Sequence, residues 1–308
     1  MEFGPHFLLA TLEGALTAAV LALTAVGLSV VFGIMRVVNV AHGEFFMLGA
    51  VIAWFVSTLV GVHPAIGFAL ALVAAPVAVG ALAIVADRLV LRRLNYDPER
   101  TIVATIGLLY CIQQLTLMTF GPDARPVVPP FNQRIALPWF EFGEQGLQVI
   151  WPWGFGITTY KLAVIAFAVI ILVGLWQFLA RSRFGLVMRA TQLDREMAQA
   201  FGIPIDRVYG LVFGLGAGLA ALGAVLIVPI RQAHYLMGHE PLLLSFIVVI
   251  IGGLGSIPGT IIAAVLIGLS DGIISVFFSP TLAKIIATLL VAFVLVFRPQ
   301  GLFGLRSA

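Results

Sequence analysis

The segment Arg36–Phe46, RVVNVAHGEFF, places an amide, an imidazole and a carboxylate close together, at Asn39, His42 and Glu44. An imidazole and a carboxylate can exchange protons in acid–base catalysis, or they can bind a polar solute. Catalysis is disfavoured because neither a nucleophile, nor a further metal ligand at a definable spacing, nor a cofactor motif accompanies them. We therefore predict no catalytic residue, no cofactor and no metal site in this chain.

The spacing of the three polar residues constrains the backbone that carries them. On a straight helix Asn39 and His42 lie about 60° apart, whereas Glu44 lies about 160° from His42. The segment therefore either breaks near Gly43 or forms a solvated loop. The apolar stretch Phe45–Val60 that follows has about 16 residues and spans roughly 24 Å, less than the ~30 Å core of a bilayer. Asn39, His42 and Glu44 are candidates for lining a translocation pathway, and capping of helix ends is the alternative.

A second unusual stretch, GGLGSIPG at residues 252–259, is too rich in glycine for a continuous helix, and its proline lacks a backbone donor. Within a membrane such a break is tolerated only where it packs in protein or lines a wet cavity, and transporters often bind or gate their solutes there. Close helix packing is the alternative role of these glycines. The candidate pathway residues of this stretch are Gly252, Gly253, Gly255 and Ser256.

A third stretch, REMAQAFGIPIDR at residues 195–207, predicts a short helix with small residues on one face and a glycine that reverses the chain. Glu196, Ala198 and Gly202 have a spacing suited to docking against a second protein, and an ordinary solvated loop is the alternative. The sequence has no Gly-x4-Gly-Lys-Ser/Thr loop, and its only lysines are Lys161 and Lys284. Any ATP-driven role therefore requires a separate ATPase.

The elements that must position these residues are membrane helices. Of 308 residues, 61% are hydrophobic and 10% are charged, with a mean hydropathy of +1.11, far from the balance of a soluble domain. Uncharged windows such as residues 14–35, 45–86 and 241–270 are continuous apolar runs, which predict helices and not the alternating strands of a β-barrel. We predict an all-α, polytopic transmembrane helix bundle, forming a single domain, 1–308, whose first apolar run is retained.

The loop charges predict how the chain crosses the membrane. Arginines concentrate in residues 88–100 and in residues 181–207, and the positive-inside rule places both loops in the cytoplasm. The segment between them, about 121–159, is then an external loop, and the N-terminus is external as well. The net charge of +3 is small and scattered, which gives no support to nucleic-acid binding.

The C-terminal part, residues 242–297, is too long for two simple spans. It divides into three apolar pieces, Leu242–Leu254, Ile257–Phe278 and Thr281–Phe297, which return the basic tail to the cytoplasm. We expect eight or nine membrane segments in all, at least one of them short or broken. Asp271 and Lys284 flank the FFSP turn, where they end adjacent spans or pair with each other, and a role in conduction is the alternative.

Four stretches occur in order along the chain: GLSVVFGIMRVVNVAHGEFFMLGA, RFGLVMRATQLDREMAQAFGIPIDRV, IGGLGSIPGTIIAAVLIG and VFRPQGLFG. Together they resemble the LivH-type permeases of the branched-chain amino-acid ABC importer family. The first is similar to the family's leading signature, the third to its glycine signature and the fourth to its usual ending. The second resembles its coupling loop, which implies contact with ATPase subunits through Arg189, Ala190, Asp194, Glu196, Ala198 and Gly202.

This resemblance implies a permease subunit of an ATP-driven importer in the bacterial inner membrane, forming half of a translocation pathway. The implied partners are a LivM-type permease, two cytoplasmic ATPase subunits of the LivG/LivF type that bind the ATP, and a periplasmic or lipid-tethered binding protein. Apolar residues 242–246 stand where many members carry a lysine, so amides, urea and aromatic or other carboxylates stay open as solutes beside branched-chain amino acids. A stand-alone ion-coupled transporter or channel is the alternative function.

Overall fold

The computed structural model describes residues 3–61, 63–136, 139–143, 146–150, 156–298 and 301–303. Eight helices of this part are long and apolar enough to cross a membrane, and α9 is a shorter apolar helix, so the predicted polytopic all-α bundle is confirmed. The helices are α1 Phe3–Met35, α2 His42–Val60, α3 Pro64–Ala86, α4 Pro98–Phe120, α5 Thr159–Arg181, α6 Arg183–Leu193, α7 Arg195–Ala200, α8 Ile205–Arg231, α9 His239–Gly252, α10 Ile257–Phe277 and α11 Pro280–Phe297. Helix α3 continues through a π-helical turn, Asp87–Leu91, and a 3-10 turn, Arg92–Leu94.

Four short strands, which the all-α prediction did not include, lie between α4 and α5. They are β1 Arg134–Ala136, β2 Trp139–Gly143, β3 Gly146–Ile150 and β4 Gly156–Thr158. Strands β1 and β4 pair antiparallel with Ile135 opposite Ile157, and β2 and β3 pair antiparallel with Glu141 opposite Gln148. These two hairpin-like pairs occupy the predicted external loop.

Several spans begin with a capping side chain followed by proline, a sequence that fixes the start of a helix. The preceding side chain accepts a hydrogen bond from a first-turn backbone N–H, at 3.0 to 3.2 Å in these cases, and proline has no N–H left to satisfy. The pairs are His63–Pro64, Asp97–Pro98 and Ser279–Pro280.

Helix α1 is the central, most buried span, and small residues let its neighbours approach it closely. A Cβ atom added to Gly27 would lie 2.5 Å from the carbonyl oxygen of Gly216 on α8. One added to Gly268 of α10 would lie 2.4 Å from the Cα atom of Ala18. Both α8 and α10 run antiparallel to α1. Because α1 crosses the bundle from one end to the other, the position of a contact along α1 gives its depth in the bundle.

The arginine-rich loops meet at one end of the bundle, which we call the basic end (residues 88–100 and 181–207). Arg92 forms an ion pair with Asp206 at the start of α8, with 2.8 Å between guanidinium nitrogen and carboxylate oxygen. The opposite end holds the turn at Gly61, strands β1–β4 and Arg231 at the end of α8.

The chain returns to the basic end of α9 after α11. Gly301 has a left-handed φ of 76°, and the following two backbone N–H groups donate to the last carbonyls of α9. The nitrogen of Leu302 lies 2.8 Å from the oxygen of Ile251, and that of Phe303 lies 3.2 Å from the oxygen of Gly252. The tail therefore satisfies carbonyl groups that the end of α9 leaves without helical donors.

Candidate functional site

The segment between α1 and α2 is extended and held by a neighbouring helix. Helix α1 ends where Arg36 takes a left-handed φ of 55°. The backbone N–H of Val40 donates to the hydroxyl oxygen of Thr105 on α4 at 3.2 Å, and that hydroxyl lies 3.0 Å from the oxygen of Ile102. The break therefore spans residues 36–41 and α2 begins at His42, whereas a break near Gly43 was one sequence expectation. Asn39 precedes the helix, and His42 and Glu44 lie in its first turn.

Helix α2 begins inside the bundle and not at its basic end. The Nε2 atom of His42 donates to the carbonyl oxygen of Thr24 on α1 at 2.9 Å. Thr24 precedes the end of α1 at Met35 by a distance along the helix of about 16 Å, at 1.5 Å per residue. The RVVNVA segment therefore turns back from the basic end toward the middle of the bundle.

Helix α9 begins at the same depth, because its N-terminus packs against that of α2. A Cβ atom added to Gly43 would lie 2.5 Å from the oxygen of Gly238, and one added to Gly238 would lie 2.1 Å from the oxygen of Gly43. Only glycine allows this backbone contact. His239 thus lies beside the first turn of α2. Two helix N-termini, each carrying partial positive charge, meet within the membrane region.

A carboxylate without a hydrogen-bond partner lies at this meeting point. The Glu44 side chain is 1% exposed, and neither of its oxygens has a hydrogen-bond partner among the described residues. Its Oε1 atom lies 3.7 Å from Nε2 of His239, which is itself 3.0 Å from the amide nitrogen of Gln113 on α4. Since the Gln113 amide donates to Nε2 of His239, this ring nitrogen acts as an acceptor and does not donate to Glu44. The Oδ1 atom of Asn39 and Nδ1 of His42 are likewise buried and unpartnered.

Buried polar atoms without partners cost free energy, of order 1–3 kcal/mol each, so they indicate a place where water, solute or another subunit supplies the missing bonds. The His239 side chain is 54% exposed, and Gln113 on α4 is partly exposed. Polar side chains at this depth face protein or water, and not lipid. The cluster Asn39, His42, Glu44, His239 and Gln113, which we call the mid-depth cluster, therefore opens toward a surface that lipid does not cover.

The glycine stretch forms the turn between α9 and α10. Gly253 and Gly255 have φ values of 100° and 81°, and the hydroxyl of Ser256 caps α10 by accepting from the Gly259 nitrogen at 3.3 Å. A Cβ atom on Gly255 would lie 2.8 Å from the Cα atom of Gly33 on α1. Gly255 and Ser256 line a cavity of about 380 Å³ at the basic end.

The two sets of candidate pathway residues therefore lie at different depths. Gly33, beside the glycine turn, is separated from Thr24, beside His42, by about 14 Å along α1 at 1.5 Å per residue. Gly252 ends α9 and Gly253 begins the turn, and neither lines this cavity. The structure brings Asn39, His42 and Glu44 together and keeps them apart from the glycine turn.

The coupling stretch folds as two short helices, α6 and α7, with a sharp turn after each. Asp194 caps α7 because its Oδ1 atom accepts from the nitrogens of Glu196 and Met197 at 2.9 and 3.0 Å. Ala198 is buried, and Gly202 reverses the chain with a φ of 83°. The guanidinium group of Arg189 donates to the carbonyl oxygens of Leu179 and Ala180 at the end of α5, so it holds α6 in place. Ala190 is partly buried and Glu196 is exposed.

An aromatic and cationic cluster joins α7 to two spans. The guanidinium carbon of Arg195 lies 5.8 Å from the ring centre of Tyr96 and 5.3 Å from that of Tyr209. The phenol of Tyr96 lies 3.5 Å from a carboxylate oxygen of Asp87, in the π-helical turn. Burial, and next the nearby Asp87 carboxylate, raise the pKa of Tyr96, so its hydroxyl stays protonated and able to donate.

Several residues of these sites have weak sequence signals. Thr24 and Thr105 are single threonines within apolar spans, and only the fold shows that they contact the break. Gln113 belongs to a Gln–Gln pair in the middle of α4. Two adjacent amide side chains within a span indicate that this part of the helix faces protein or water and not lipid. Lys284 pairs with Glu240 at 3.2 Å, and not with Asp271 as one alternative had it. In the part of the chain that the structure describes, no group of three or more His, Cys, Asp or Glu is placed to hold a metal ion.

Comparisons with known proteins agree with the membrane bundle. The profile of the family described as "Branched-chain amino acid transport system / permease component" matches residues 10–295. The chain is 28% identical to the high-affinity branched-chain amino acid transport system permease protein BraD of Pseudomonas aeruginosa, over 97% of this chain and 96% of that protein. It is 28% identical to LivH of Escherichia coli K12, again over 97% of this chain and 96% of the relative.

A more distant relative, the probable branched-chain amino acid transport permease protein LivH of Methanocaldococcus jannaschii, is 24% identical over 95% of this chain and 91% of its own length. No solved structure shows significant similarity to the chain. The family profile covers most of the sequence, from α1 into α11, and the relatives are matched over nearly their full lengths. This multi-pass membrane protein therefore belongs to the family of permease components of branched-chain amino acid transport systems.

Proposed function

We propose that this chain is the LivH-type permease subunit of an ATP-driven importer and forms half of the translocation pathway for a small amino acid or a related polar or carboxylate solute. The observation that carries the proposal is the unpartnered Glu44 carboxylate between the N-termini of α2 and α9. Half-helices that meet at membrane depth are a recurrent way to present positive helix ends and free polar groups to a solute.

The exposed side of the mid-depth cluster is the surface that we assign to a second, LivM-type permease. His239 is exposed and Gln113 partly exposed at a depth where lipid offers no hydrogen-bond partner. A partner permease packed on α4 and on the start of α9 would enclose Glu44 between two subunits. The pathway would then consist of Asn39, His42 and Glu44 from this chain, and the turn Gly252, Gly253, Gly255 and Ser256 would lie at its inner end.

The α6–α7 segment is the proposed contact with two cytoplasmic ATPase subunits of the LivG/LivF type, which bind the ATP. Its surface carries large exposed apolar side chains at a loop, with Leu193 and Phe201 exposed to 85% and 81%. Such a patch on a basic, non-membrane segment is typical of a protein interface. The Arg195 guanidinium lies over the rings of Tyr96, between α3 and α4, and Tyr209, on α8, so a displacement of α7 would reach the spans.

The remaining parts of the proposal follow from this assignment. The basic end faces the cytoplasm of a bacterial inner membrane, the chain acts as one transmembrane domain, and a periplasmic or lipid-tethered binding protein delivers solute to the opposite end. The relatives named above transport branched-chain amino acids according to their names, which supports L-leucine, L-isoleucine and L-valine as the first solutes to test. The chain itself has no enzymatic step and requires no cofactor of its own.

The test is reconstitution of the complex that co-purifies with a tagged form of this chain. Proteoliposomes containing that complex, with the binding protein outside and ATP inside, are expected to accumulate radiolabelled L-leucine. A matched complex whose ATPases bind but do not hydrolyse ATP is expected to show no accumulation. Accumulation by this chain alone, driven by an ion gradient without ATP, would overturn the proposal in favour of an ion-coupled transporter.

A further inference from the structure

We propose that the end of the bundle opposite the basic end contains a binding site for a zwitterionic α-amino acid with a short aliphatic side chain. The inference rests on the proposed import function and adds the place where this chain first receives its solute. We call the site the outer vestibule, and it is defined by Thr17, Arg231, Glu240, Asp271 and Lys284.

The outer vestibule is a cavity of about 390 Å³ where the ends of four helices meet the middle of α1. Thr17 comes from α1, Arg231 from the end of α8, Glu240 from the start of α9, Asp271 from α10 and Lys284 from α11. Its volume falls within the range of small-molecule sites, roughly 300–1,000 Å³. No residue of the mid-depth cluster or of the α6–α7 segment lines it.

Charges of both signs line this cavity. The cations are Arg231 and Lys284, and the carboxylates are Glu240, Asp271 and Glu13, of which Glu13 is ion-paired with Lys161 outside the cavity lining. One Glu240 carboxylate serves two cations, with Arg231 at 3.0 Å and Lys284 at 3.2 Å. Asp271 lines the same cavity and forms neither a hydrogen bond nor an ion pair with the part of the chain that the structure describes. A guanidinium has five donors and an ammonium three, so the two cations keep donors for a further carboxylate. Asp271 is correspondingly available to accept from an ammonium group.

An apolar cavity adjoins the charged one. It has a volume of about 50 Å³ and shares Thr17, Arg231 and Glu240 with the outer vestibule. Its remaining walls are mostly apolar and include Phe46 and Leu244, and it reaches Thr24, whose carbonyl accepts from His42. A water needs about 10–15 Å³ measured in this way, so the space holds a few atoms, as a short aliphatic side chain requires.

The two cavities together select one class of solute. A simple anion would meet the carboxylates of Glu240 and Asp271, and a simple cation would meet Arg231 and Lys284. A zwitterion satisfies both signs at once, and an aliphatic side chain fills the apolar cavity that points toward the mid-depth cluster. The side chains of Arg231, Glu240 and Lys284 are between 37% and 47% exposed, so a solute can enter the site from water and leave it again.

Saturation-transfer NMR on the purified transporter complex, without its binding protein, measures this site directly. The probes are L-leucine, L-leucinamide, which lacks the carboxylate, and N-acetyl-L-leucine, which lacks the ammonium group. L-leucine is expected to bind at least about tenfold more tightly than either analogue, which corresponds to about 1.4 kcal/mol. Equal binding of the three probes by the wild-type complex would overturn the inference, whatever the variants do.

The variants identify which residue contacts which group of the solute. Arg231→Gln is expected to reduce the preference for L-leucine over L-leucinamide several-fold while keeping the preference over N-acetyl-L-leucine. Asp271→Asn is expected to do the reverse, a pattern that a merely structural disturbance would not produce. Asp123→Asn, an exposed carboxylate at the same end, is the matched control and is expected to change neither ratio. Unchanged ratios in both site variants would contradict the assignment.

Uptake measured in the same preparations separates this inference from the proposed function. If the wild-type complex accumulates L-leucine with ATP but binds the three probes equally, the outer vestibule fails and the import function stands. If the probes bind with the expected preferences but the complex never accumulates solute with ATP, the import function fails and the site stands.

Discussion

The α6–α7 segment and the mid-depth cluster both interrupt the succession of membrane spans, yet their polar groups end in opposite situations. In α6–α7 the Asp194 carboxylate accepts two backbone N–H groups, and Arg195 stacks over two tyrosines. In the mid-depth cluster both oxygens of Glu44 lack hydrogen-bond partners although the side chain is buried. The polar groups of the first segment are satisfied within this chain, whereas those of the mid-depth cluster are not.

This difference separates residues that stabilise the fold from residues kept for another molecule. A self-satisfied network loses stability when one member is removed, because a partner is left unpaired. An unpartnered buried carboxylate already carries that cost, so its removal costs the fold little and is expected to cost function instead. The comparison would fail if replacing Glu44 reduced stability without reducing transport, or if replacing a member of the α6–α7 network left stability unchanged.

The largest effect is expected for Glu44→Gln. Uptake of L-leucine by the reconstituted complex should fall at least about tenfold, or 1.4 kcal/mol in transition-state terms. The thermal unfolding midpoint of the detergent-solubilised protein should stay the same or rise, because the carboxyl group that is replaced is buried and makes no hydrogen bond with the described residues. Glu99→Gln, on the exposed first turn of α4, is the matched control for both measurements. Normal uptake by Glu44→Gln would remove Glu44 from the pathway.

Gly202→Asp is expected to reduce uptake several-fold while the protein still inserts. The residue has a φ of 83°, which costs a residue with a side chain about 1–2 kcal/mol, and no atom lies within 4 Å of an added Cβ. The change therefore acts through the turn and through a new negative charge on the proposed ATPase surface. ATPase subunits that co-purify with the variant are quantified beside uptake.

Two further variants separate the causes of that effect. Gly202→Asn tolerates the left-handed conformation and adds no charge, so it is expected to keep more uptake than Gly202→Asp. Gly174→Ala, on α5, also has open space around the added atom but has no left-handed φ, and it should resemble the wild type. Full uptake and full ATPase retention by Gly202→Asp would exclude this turn from coupling.

Asp194→Ala is expected to have a moderate effect that appears first in stability. The loss of the cap should destabilise α7 by about 1 kcal/mol, and Asp194→Asn should restore most of it because an amide oxygen also accepts. Hydrogen exchange of the Glu196 and Met197 amides measures this directly, since both donate to Asp194. Unchanged exchange of these amides in Asp194→Ala would show that α7 does not depend on its cap.

The smallest expected effect concerns His234, in the loop that leads into α9. Burial lowers its pKa below the ordinary value near 6.5, so the unfolded state binds the proton more readily than the folded state. Above about pH 6.5 His234 therefore does not lower the free energy of unfolding. Below that value it lowers the free energy of unfolding increasingly as the pH falls. The unfolding midpoint of His234→Gln should fall less between pH 7 and pH 5 than that of the wild type. Parallel curves for the two proteins would contradict the assignment.

The sequence was sufficient for the architecture where one physical signal dominated. Continuous apolar runs predicted the spans, because a membrane helix must satisfy its backbone internally. The dense glycines predicted the break between α9 and α10, and the spacing of Glu196 and Gly202 predicted a short helix and a reversal. These features depend on local chemistry alone, so no tertiary information was needed.

The sequence was insufficient where depth and partnership depended on contacts far apart in the chain. A polar residue near a loop, such as His239, reads equally well as external or as membrane-embedded until the contact of Gly43 with Gly238 is known. The helical-wheel argument correctly excluded one straight helix through Glu44, but it did not locate the break at residues 36–41. Likewise, the charged residues of the outer vestibule come together only because α8, α9 and α10 pack around α1 and α11 packs on α9 and α10. They are Arg231, Glu240, Asp271 and Lys284.

The tail that bonds to the end of α9 also constrains how the protein is made. During synthesis the carbonyl groups of Ile251 and Gly252 emerge about fifty residues before the Leu302 and Phe303 nitrogens that will bond them. At roughly 5–20 residues per second, the ribosome needs several seconds to supply those donors. Helix α9, which carries His239 beside Glu44, therefore acquires its final anchor only after α10 and α11 have left the ribosome, and the permease matures as a whole and not span by span.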